Sequence, residues 1–252
     1  NFTGEGLWFA GTFESADIFP IFDDTLRLQD DYSLGFQRQT PKDGFNIYRG
    51  KGKYFDEIQL SHKGIKGSGK LEYLTSTSVA DNILFFPDST NLHTQQFNLL
   101  AVRKGIEFPE ANNTSTYIHF QPYNDIMNIY KKQNEFSFYD GQVTMNGDIE
   151  LRPTGLTGNG IMKLDKAEVT SNFFVYNAVF FNADTADLVV NADNIGGIAF
   201  QSKNLRTYID LEDKIGRFNS NGAESYVQLP ENQYICYIDK LKWDMEAELL
   251  EL

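Results

Sequence analysis

A glycine-spaced phrase that occurs twice is the feature of this 252-residue chain that most limits what it can fold into. Residues 57–73, "EIQLSHKGIKGSGKLEY", align without a gap with residues 148–164, "DIELRPTGLTGNGIMKL", at a spacing of 91. Apolar and polar residues alternate on both sides of the glycines, and a period of two is typical of β-strands. The phrase therefore predicts two equivalent pairs of strands, each joined by a short turn that contains glycine.

The glycines within the phrase, Gly67 with Gly69 and Gly158 with Gly160, have two interpretations. A dinucleotide-binding loop needs a third glycine followed directly by a helix, and a P-loop needs Gly-Lys-Ser/Thr at the start of a helix. Strand-like sequence follows both pairs here ("KLEYL" and "IMKL"), so neither loop is expected. Glycine within a strand marks a bulge, a tight bend or a close backbone approach. We therefore predict a structural corner that recurs in both copies.

The repetition continues beyond the phrase in a looser form. Residues 82–90, "NILFFPDST", resemble residues 177–185, "NAVFFNADT", at a spacing of 95, which predicts four inserted residues in the second copy. Gly-x-Gly spacing also occurs at two other places, Gly4 with Gly6 and Gly50 with Gly52. Internal repeats of this kind predict stacked supersecondary units, here two related units at about residues 51–100 and 142–190.

Strand patterns fill most of the remaining chain. Helix signals are confined to two short runs, residues 124–132 ("NDIMNIYKK") and 245–252 ("MEAELLEL"), which fit strands about as well. We predict an all-β fold, a single domain over residues 1–252 whose two related halves meet near residues 110–140. Its expected architecture is an elongated series of strand–turn–strand units that forms a sandwich, a groove or a β-solenoid.

The net charge of −13 restricts the partners. Binding to a nucleic-acid backbone needs a basic surface, and docking on an anionic membrane also needs positive charge, so neither partner is expected. No stretch approaches the roughly 18 apolar residues of a transmembrane helix.

The compartment is not decided by the residues themselves. The single cysteine, Cys236, rules out an internal disulfide, and its apolar-alternating surroundings are typical of a buried, unreactive thiol. The chain begins with "NFTGEG" and ends with "AELLEL", without the features of a signal peptide. We expect it to be an internal fragment of a longer chain.

No motif in the sequence predicts catalytic, cofactor-binding or metal-binding residues. The three histidines, His62, His93 and His119, lack the spacing of a metal or catalytic motif. His62 lies in a predicted turn. His119 alternates with Tyr117 and Gln121 on a predicted strand face, where a surface or cross-strand contact is the expected role.

Carboxylate groups are the first class of candidate site. They occur at Asp23 with Asp24, Asp30 with Asp31, Asp184 with Asp187, and Asp210 with Glu212 and Asp213. Two carboxylates about 5 to 10 Å apart across a cleft would suit glycoside hydrolysis, but any acidic β protein offers such pairs. No stretch matches the calcium loop of an EF-hand. Turn carboxylates that simply face solvent are the alternative interpretation of each group.

Aromatic side chains are the second class of candidate site. Trp8, Tyr123, Tyr130 and Trp243 would be able to stack on sugar rings where they are exposed, because Tyr and Trp combine a flat apolar ring with a polar edge. Packing in the core or at a sheet edge is the alternative interpretation for the two tryptophans.

Seven phrases of the chain resemble phrases of very long, uncharacterised envelope proteins of Bacteroidetes-type bacteria. They are "DDYSLGF" (30–36), "LEYLTST" (71–77), "FFPDSTN" (85–91), "LTGNGIMKLD" (156–165), "ADTADL" (183–188), "FNSNGA" (218–223) and "YICYIDK" (234–240). The resemblance covers nearly the whole chain and implies a long β-repeat body in a secreted or periplasmic setting. It supplies no catalytic residues for this chain.

The Gly-x-Gly strand starts are also similar, at the level of pattern, to bridge-like envelope proteins of the lipopolysaccharide-transport and AsmA types. That likeness implies an apolar-lined groove in which Ile149, Leu151, Met162, Phe174 and Phe180 would line a lipid path. The alternative is that these side chains fill a closed core, since a shared fold does not establish a shared function.

Two functional hypotheses follow from the sequence. The first is a non-enzymatic structural or scaffold segment of a large bacterial cell-envelope protein, in the periplasm or at the cell surface, with a lipid-accommodating groove and other envelope proteins as partners. The alternative is a carbohydrate-binding or carbohydrate-active β module with polysaccharide as its partner. Repetition without a chemical motif favours the first, and aromatic and acidic side chains that meet on one face would favour the second.

Overall fold

The computed structural model describes residues 2–3, 6–29, 32–191, 197–222, 226–230, 232–237, 239–247 and 249–251. Within these residues the chain forms 24 β-strands and two 3-10 turns. The predicted all-β, strand–turn–strand fold is confirmed. The described part of the chain has no helix with the length and apolar character of a membrane span.

The strands are numbered in chain order. They are β1 (Phe2–Thr3), β2 (Gly6–Phe13), β3 (Phe22–Leu28), β4 (Leu34–Gln39), β5 (Phe45–Ile47), β6 (Gly52–Ser61), β7 (Gly64–Tyr73), β8 (Ser76–Phe85), β9 (Thr90–Thr94), β10 (Gln96–Leu99), β11 (Ala111–Asn113), β12 (Thr116–Gln121), β13 (Ile126–Lys131), β14 (Phe136–Phe138), β15 (Val143–Arg152), β16 (Gly155–Lys163), β17 (Ala167–Tyr176), β18 (Phe180–Asn191), β19 (Ile198–Asp210), β20 (Ile215–Ser220), β21 (Tyr226–Leu229), β22 (Tyr234–Tyr237), β23 (Lys240–Asp244) and β24 (Leu249–Glu251). The 3-10 turns lie at Tyr48–Gly50 and Pro122–Asn124.

The chain divides into two compact units. The first comprises Asn1–Asn98 and Thr114–Gln133, and the second comprises Leu99–Asn113 and Asn134–Leu252. Each unit contains its own set of buried apolar side chains.

The first unit is an antiparallel meander in which strands that follow one another mostly pair. The pairing order is β2–β3–β4–β6–β7–β8–β9–β12–β13. The short strand β5 pairs with β6 beyond the end of β4. Of the two runs with weak helix signals, residues 124–132 mainly form β13.

The second unit has the same kind of antiparallel order. Its strands pair as β14–β15–β16–β17–β18–β19–β20–β23–β24, and β11 lies beside β14. The β21–β22 hairpin pairs with β19. The described residues of the run 245–252 form a turn and β24 rather than a helix.

The repeated phrase occupies the same structural position in both units. Gly67 pairs with Ile58 on β6 and with Ile83 on β8. Gly158 pairs with Ile149 on β15 and with Phe174 on β17, so every partner is shifted by the same 91 residues. The register of the second pairing slips between Gly67 and Gly69 in one unit and between Gly158 and Gly160 in the other, which marks a β-bulge at each. The predicted recurring corner is confirmed.

The structural repeat is longer than the repeated phrase. Strands β5 to β8 have the same order and register as β14 to β17, again at a spacing of 91. For example, Phe45 pairs with Tyr54 in the first unit, and Phe136 pairs with Met145 in the second. The repeat therefore runs from 45–85 to 136–176 without an insertion.

The looser alignment at a spacing of 95 is wrong. Residues 82–85 are the end of β8 and residues 86–89 are the turn after it, whereas residues 180–185 lie inside β18. The register places Phe85 opposite Ile65 and Tyr176 opposite Leu156, so these two residues are the true counterparts. The two Phe-Phe pairs suggested this alignment, but Phe85 and Phe86 lie at the end of β8 and in the turn after it, whereas Phe180 and Phe181 begin β18.

The other Gly-x-Gly pairs are not copies of the bulge. Gly50 ends a 3-10 turn with φ +85°, and Gly52 begins β6. The counterpart of Gly50 at a spacing of 91 is Gly141, with φ +81°. Gly4 lies outside the described residues.

Close backbone approach explains why the bulge needs glycine. A Cβ atom at Gly158 would lie 2.7 Å from the Asp148 carbonyl oxygen, and one at Gly67 would overlap the Tyr54 hydroxyl. Gly160 also has φ +133°, a conformation that other residues rarely adopt. The phrase therefore encodes backbone geometry.

In each unit a buried tyrosine hydrogen-bonds the backbone where the strand after the repeat begins. Tyr48 and Tyr139 are 91 residues apart and have φ of +51° and +53°. The Tyr48 hydroxyl lies 2.7 Å from the Ser89 carbonyl oxygen, in the turn before β9. The Tyr139 hydroxyl donates a hydrogen bond to the Phe180 carbonyl oxygen at 2.9 Å, at the start of β18. Both side chains therefore set where the strand after the repeat begins.

Aromatic side chains fill the interior beside each bulge. In the first unit the Tyr54 ring centroid lies 5.0 Å from that of Phe85. In the second unit the Tyr176 ring centroid lies 5.1 Å from that of Phe138. These rings are almost completely buried, so the bulged strands bend around an aromatic core.

We expect Gly158→Ala to lower the free energy of unfolding by about 1–3 kcal/mol, the usual effect of forcing an extra carbon into a packed interior. Urea unfolding followed by tryptophan fluorescence measures this, because Trp243 is buried in the same unit. Gly11→Ala is the matched control, since the space around Gly11 is open. Equal urea midpoints for the two variants would contradict the close-approach argument.

We also expect base to unfold the chain cooperatively. Burial raises the pKa of four tyrosines above its usual value, at Tyr48, Tyr54, Tyr139 and Tyr176. Above about pH 10 the unfolded chain has lost these protons and the folded chain has not, so the free energy of unfolding falls as pH rises. Below that pH both states keep the protons, and this contribution does not vary. A pH titration followed by tyrosinate absorbance and circular dichroism tests this. All 13 tyrosines ionising while the strand signal persists would contradict it.

Candidate functional site

Three adjacent strands of the first unit, β9, β12 and β13, present one flat face outward. Their alternate side chains point inward and are buried, namely Leu92, Ile118, Phe120, Met127 and Ile129. Because side chains alternate along a strand, the residues between them point to the opposite side. These outward residues are Asn91, His93, Tyr117, His119, Gln121, Ile126, Asn128 and Tyr130, and we call them the β9–β12–β13 face.

The first row across this face is aromatic. Tyr117 on β12 lies directly opposite His93 on β9 and Tyr130 on β13. Ring centroids are 4.9 Å apart for His93 and Tyr117, and 6.0 Å apart for Tyr117 and Tyr130, with planes inclined at 45° and 26°. The Lys132 ammonium lies 5.3 Å from the centre of the Tyr117 ring. His93 and Tyr130 are exposed and Tyr117 is half-buried, so the row forms an accessible ring surface.

The second row is polar. His119 lies directly opposite Asn91 on β9 and Asn128 on β13. The His119 Nδ1 and the Asn91 Oδ1 are 2.6 Å apart, so the imidazole is held in one orientation by its neighbour. All three side chains are half-buried. The face therefore places amide and imidazole groups beside a row of rings.

This arrangement suits a ligand that has both a flat apolar side and polar edges. The face of an aromatic ring carries partial negative charge, which attracts weakly positive C–H groups that lie against it. Asn side chains both donate and accept hydrogen bonds, as hydroxyl groups require of a partner. Both rows are carried by paired strands, and sites built on such elements are more precise than sites on loops.

The predictions for two histidines are confirmed. His62 lies in the exposed turn between β6 and β7, and its backbone N–H donates to the Ser33 hydroxyl at 3.3 Å. His119 makes the expected cross-strand contact on the expected strand face. The place of His93 in the aromatic row was missed, because it depends on β9 pairing with a strand more than 20 residues away.

The first carboxylate pair does not converge. Asp23 and Asp24 are consecutive in β3 and therefore point to opposite sides. Asp23 accepts a hydrogen bond from the Thr12 hydroxyl at 2.8 Å, and Asp24 lies 3.3 Å from the Arg38 guanidinium. The pair Asp30 and Asp31 lies outside the described residues.

The Asp210 cluster is a turn. Asp210 accepts hydrogen bonds from the backbone N–H groups of Glu212 and Asp213 at 3.0 and 2.9 Å. It also accepts from the Tyr208 hydroxyl at 3.1 Å. Burial, and next this hydrogen bond, raise the pKa of Tyr208. Glu212 itself pairs with Arg103 at 3.2 Å. These contacts hold the β19–β20 turn together.

The remaining acidic pair is on the surface of the second unit. Asp184 lies 3.6 Å from the Arg206 guanidinium and its side chain is almost fully exposed. Asp187 accepts a hydrogen bond from the Asn204 backbone N–H at 3.1 Å. In the part of the chain that the structure describes, no group of three or more His, Cys, Asp or Glu residues is placed to hold a metal ion.

The four aromatic candidates lie on different elements. Trp243 is buried on β23, as its core interpretation predicts, and packs beside Gly216. Trp8 is partly exposed on β2, opposite Arg27. Tyr123 is exposed in a 3-10 turn, with its ring 6.0 Å from that of Tyr48. Of the four, Tyr130 alone belongs to the β9–β12–β13 face.

The apolar positions named for a lipid path are mostly filled core. Ile149 is 3% exposed, and Leu151, Met162 and Phe174 are fully buried. Phe180 is half-buried, with its ring 4.8 Å from that of Tyr208. A lipid at these positions would require the side chains to repack.

The thiol differs from its prediction. Cys236 lies in β22 and is half-buried rather than buried. It stands opposite Val227 in the β21–β22 hairpin, next to the exposed residues Ile235 and Tyr237.

Comparison of the chain with protein-family models, with curated protein sequences and with solved structures finds no match in any of the three.

Proposed function

We propose that the chain is a non-enzymatic β-scaffold segment of a large cell-envelope protein and that it binds carbohydrate through the β9–β12–β13 face. The observation that carries the proposal is the alignment of His93, Tyr117 and Tyr130 in one row, beside the polar row of Asn91, His119 and Asn128. A pyranose ring has an apolar face lined by C–H groups and a rim of hydroxyl groups. The aromatic row matches the first and the polar row matches the second.

Charge and shape favour carbohydrate over nucleic acid. Stacked aromatic rings also bind bases in single-stranded nucleic acid, but such sites lie in positively charged grooves that follow the phosphate backbone. This chain has a net charge of −13, and its three strands place neither Lys nor Arg on the outward side of the face. The ammonium of Lys132, just beyond β13, is a single charge and does not form a groove that follows a phosphate backbone. A ligand without a regular phosphate backbone suits the face better.

The repeat supports the scaffold role. Each unit contains one copy of a four-strand element with a bulge, and this bulge bends the sheet over an aromatic core. The strand that follows the repeat in the first unit, β9, then forms one side of the proposed binding face. The scaffold thus fixes the ligand-binding side chains without contributing reactive groups.

The carboxylates support a binding role rather than hydrolysis. The pair on β3 diverges, and the cluster around Asp210 is committed to a turn. The β9–β12–β13 face contains no carboxylate among its eight described outward side chains. The envelope setting follows from the resemblance of the chain's phrases to long bacterial envelope proteins.

We expect Tyr117→Ala to weaken binding to soluble polysaccharides at least fivefold, because Tyr117 is the centre of the aromatic row and stacking of a flat ring, such as a nucleic-acid base, on one aromatic side chain contributes roughly 1–3 kcal/mol. Affinity electrophoresis in gels that contain single polysaccharides measures this. The matched control is Tyr234→Ala, which removes an exposed tyrosine of the second unit. Circular dichroism and the urea midpoint show whether the variants are folded.

Two results would contradict the proposal. In the first, no polysaccharide of a broad panel retards the wild-type chain. In the second, a polysaccharide retards the wild type, Tyr117→Ala and Tyr234→Ala equally, which would leave the chain as a scaffold whose ligand contacts lie elsewhere.

A further inference from the structure

We infer that the β9–β12–β13 face binds an acidic carbohydrate, with an anionic substituent of the glycan at the Lys132 end of the aromatic row. The inference rests on the proposed function and names the class of its ligand. It comes from how charge is distributed on and around the face.

The face is a region without acidic side chains in an acidic chain. Asp and Glu number 35 in the sequence against 22 Lys and Arg, yet none of the eight outward residues of the face is acidic. Lys132, which directly follows β13, places its ammonium 5.3 Å from the centre of the Tyr117 ring.

The acidic residues at the borders of the face are engaged by other groups. Asp125, just before β13, lies 2.8 Å from the Lys51 ammonium. Asp81 on β8 accepts a hydrogen bond from the Gln95 side chain. The Lys51 ammonium offsets the charge of Asp125. The Gln95 amide is neutral, so it hydrogen-bonds the Asp81 carboxylate without cancelling its charge. The positive charge that an anion would meet is therefore that of Lys132, at the edge of a face without acidic side chains.

Position indicates how the glycan lies. Lys132 follows Asn128 and Tyr130 at the same two-residue spacing, so it lies on the same outward side. Its ammonium lies over Tyr117 on the neighbouring strand. A sugar that stacks on the Tyr117 ring would move this ammonium to the rim of the sugar, where it would pair with a carboxylate or sulfate group. The rings of the row belong to three adjacent strands, so the glycan chain crosses the strands rather than running along them.

The long-range repulsion between the chain and a polyanion sets the conditions of the test. At about 0.15 M salt the Debye length is about 8 Å, so most of the distant carboxylates are screened while contacts at the face remain. Measurements at that ionic strength therefore report the local chemistry.

The experiment compares polygalacturonate with its fully methyl-esterified form, and dextran sulfate with dextran, by affinity electrophoresis and isothermal titration calorimetry. We expect about two- to fivefold tighter binding to the acidic member of a pair. Lys132→Gln should weaken binding to the acidic member about two- to fivefold more than it changes binding to the neutral member, the effect of one partly exposed ion pair. Lys63→Gln removes the same charge from the exposed β6–β7 turn of the same unit and should change neither.

The outcomes separate the two proposals. Equal binding to the acidic and neutral members, or an equal effect of Lys132→Gln and Lys63→Gln, would overturn the acidic-ligand inference and leave carbohydrate binding standing. Absence of binding to every glycan would overturn both. Tighter binding to a single-stranded oligonucleotide than to either acidic glycan would also overturn both, because it would identify the face as a general polyanion site.

Discussion

The close approach of paired strands at the two glycine bulges is the constraint on which the rest of the structure depends. At each bulge one of the two paired strands has an extra residue. On that strand the inward-facing residues therefore change from even-numbered to odd-numbered positions, or the reverse. On β8 the buried residues are Ser76, Ser78 and Ala80 before the bulge, and Ile83 and Phe85 after it. The bulge thus lets a single strand place small side chains at one end of the core and large ones at the other. A Cβ atom at Gly158 would press on the backbone of the neighbouring strand at Asp148, and one at Gly67 would displace the buried Tyr54 ring, so either would disturb this arrangement.

The bulge and the proposed binding face are linked through one tyrosine. Tyr48 has a left-handed backbone and a buried hydroxyl that lies 2.7 Å from both the Ser89 carbonyl oxygen and the Thr90 hydroxyl. Thr90 is the first residue of β9, so this contact fixes where β9 begins. A shift of one residue in β9 would turn Asn91 and His93 inward and expose Leu92. The aromatic and polar rows therefore exist because the repeat and its tyrosine set the register of the next strand.

The sequence predicted what depends on local pattern and missed what depends on pairing at a distance. Alternation predicted the strands, and the aligned Gly67 and Gly158 predicted equivalent corners. The counterparts Tyr48 and Tyr139 were missed, because the match of "IYRG" with "FYDG" is only four residues long and a left-handed tyrosine leaves no periodic signal. The sequence predicted only part of the proposed binding face. The alternation in "TYIHFQ" puts Tyr117 and His119 on one side of a strand, but His93 lies beside them only because β9 pairs with β12.

The second unit shows why the repeat alone does not make the face. Its counterpart of β9 is the long strand β18, which pairs with β19 rather than with strands like β12 and β13. The outward residues of β18 include Asp184 and Asp187, and Arg206 on β19 lies beside the first of them. On this surface the Tyr208 ring lies against Phe180 and carries the Arg217 guanidinium over it, 5.5 Å from the ring centre, so the arrangement differs from the row of His93, Tyr117 and Tyr130. The same bulged element therefore supports two different surfaces, and the face that we propose for ligand binding belongs to the strands that follow the repeat in the first unit.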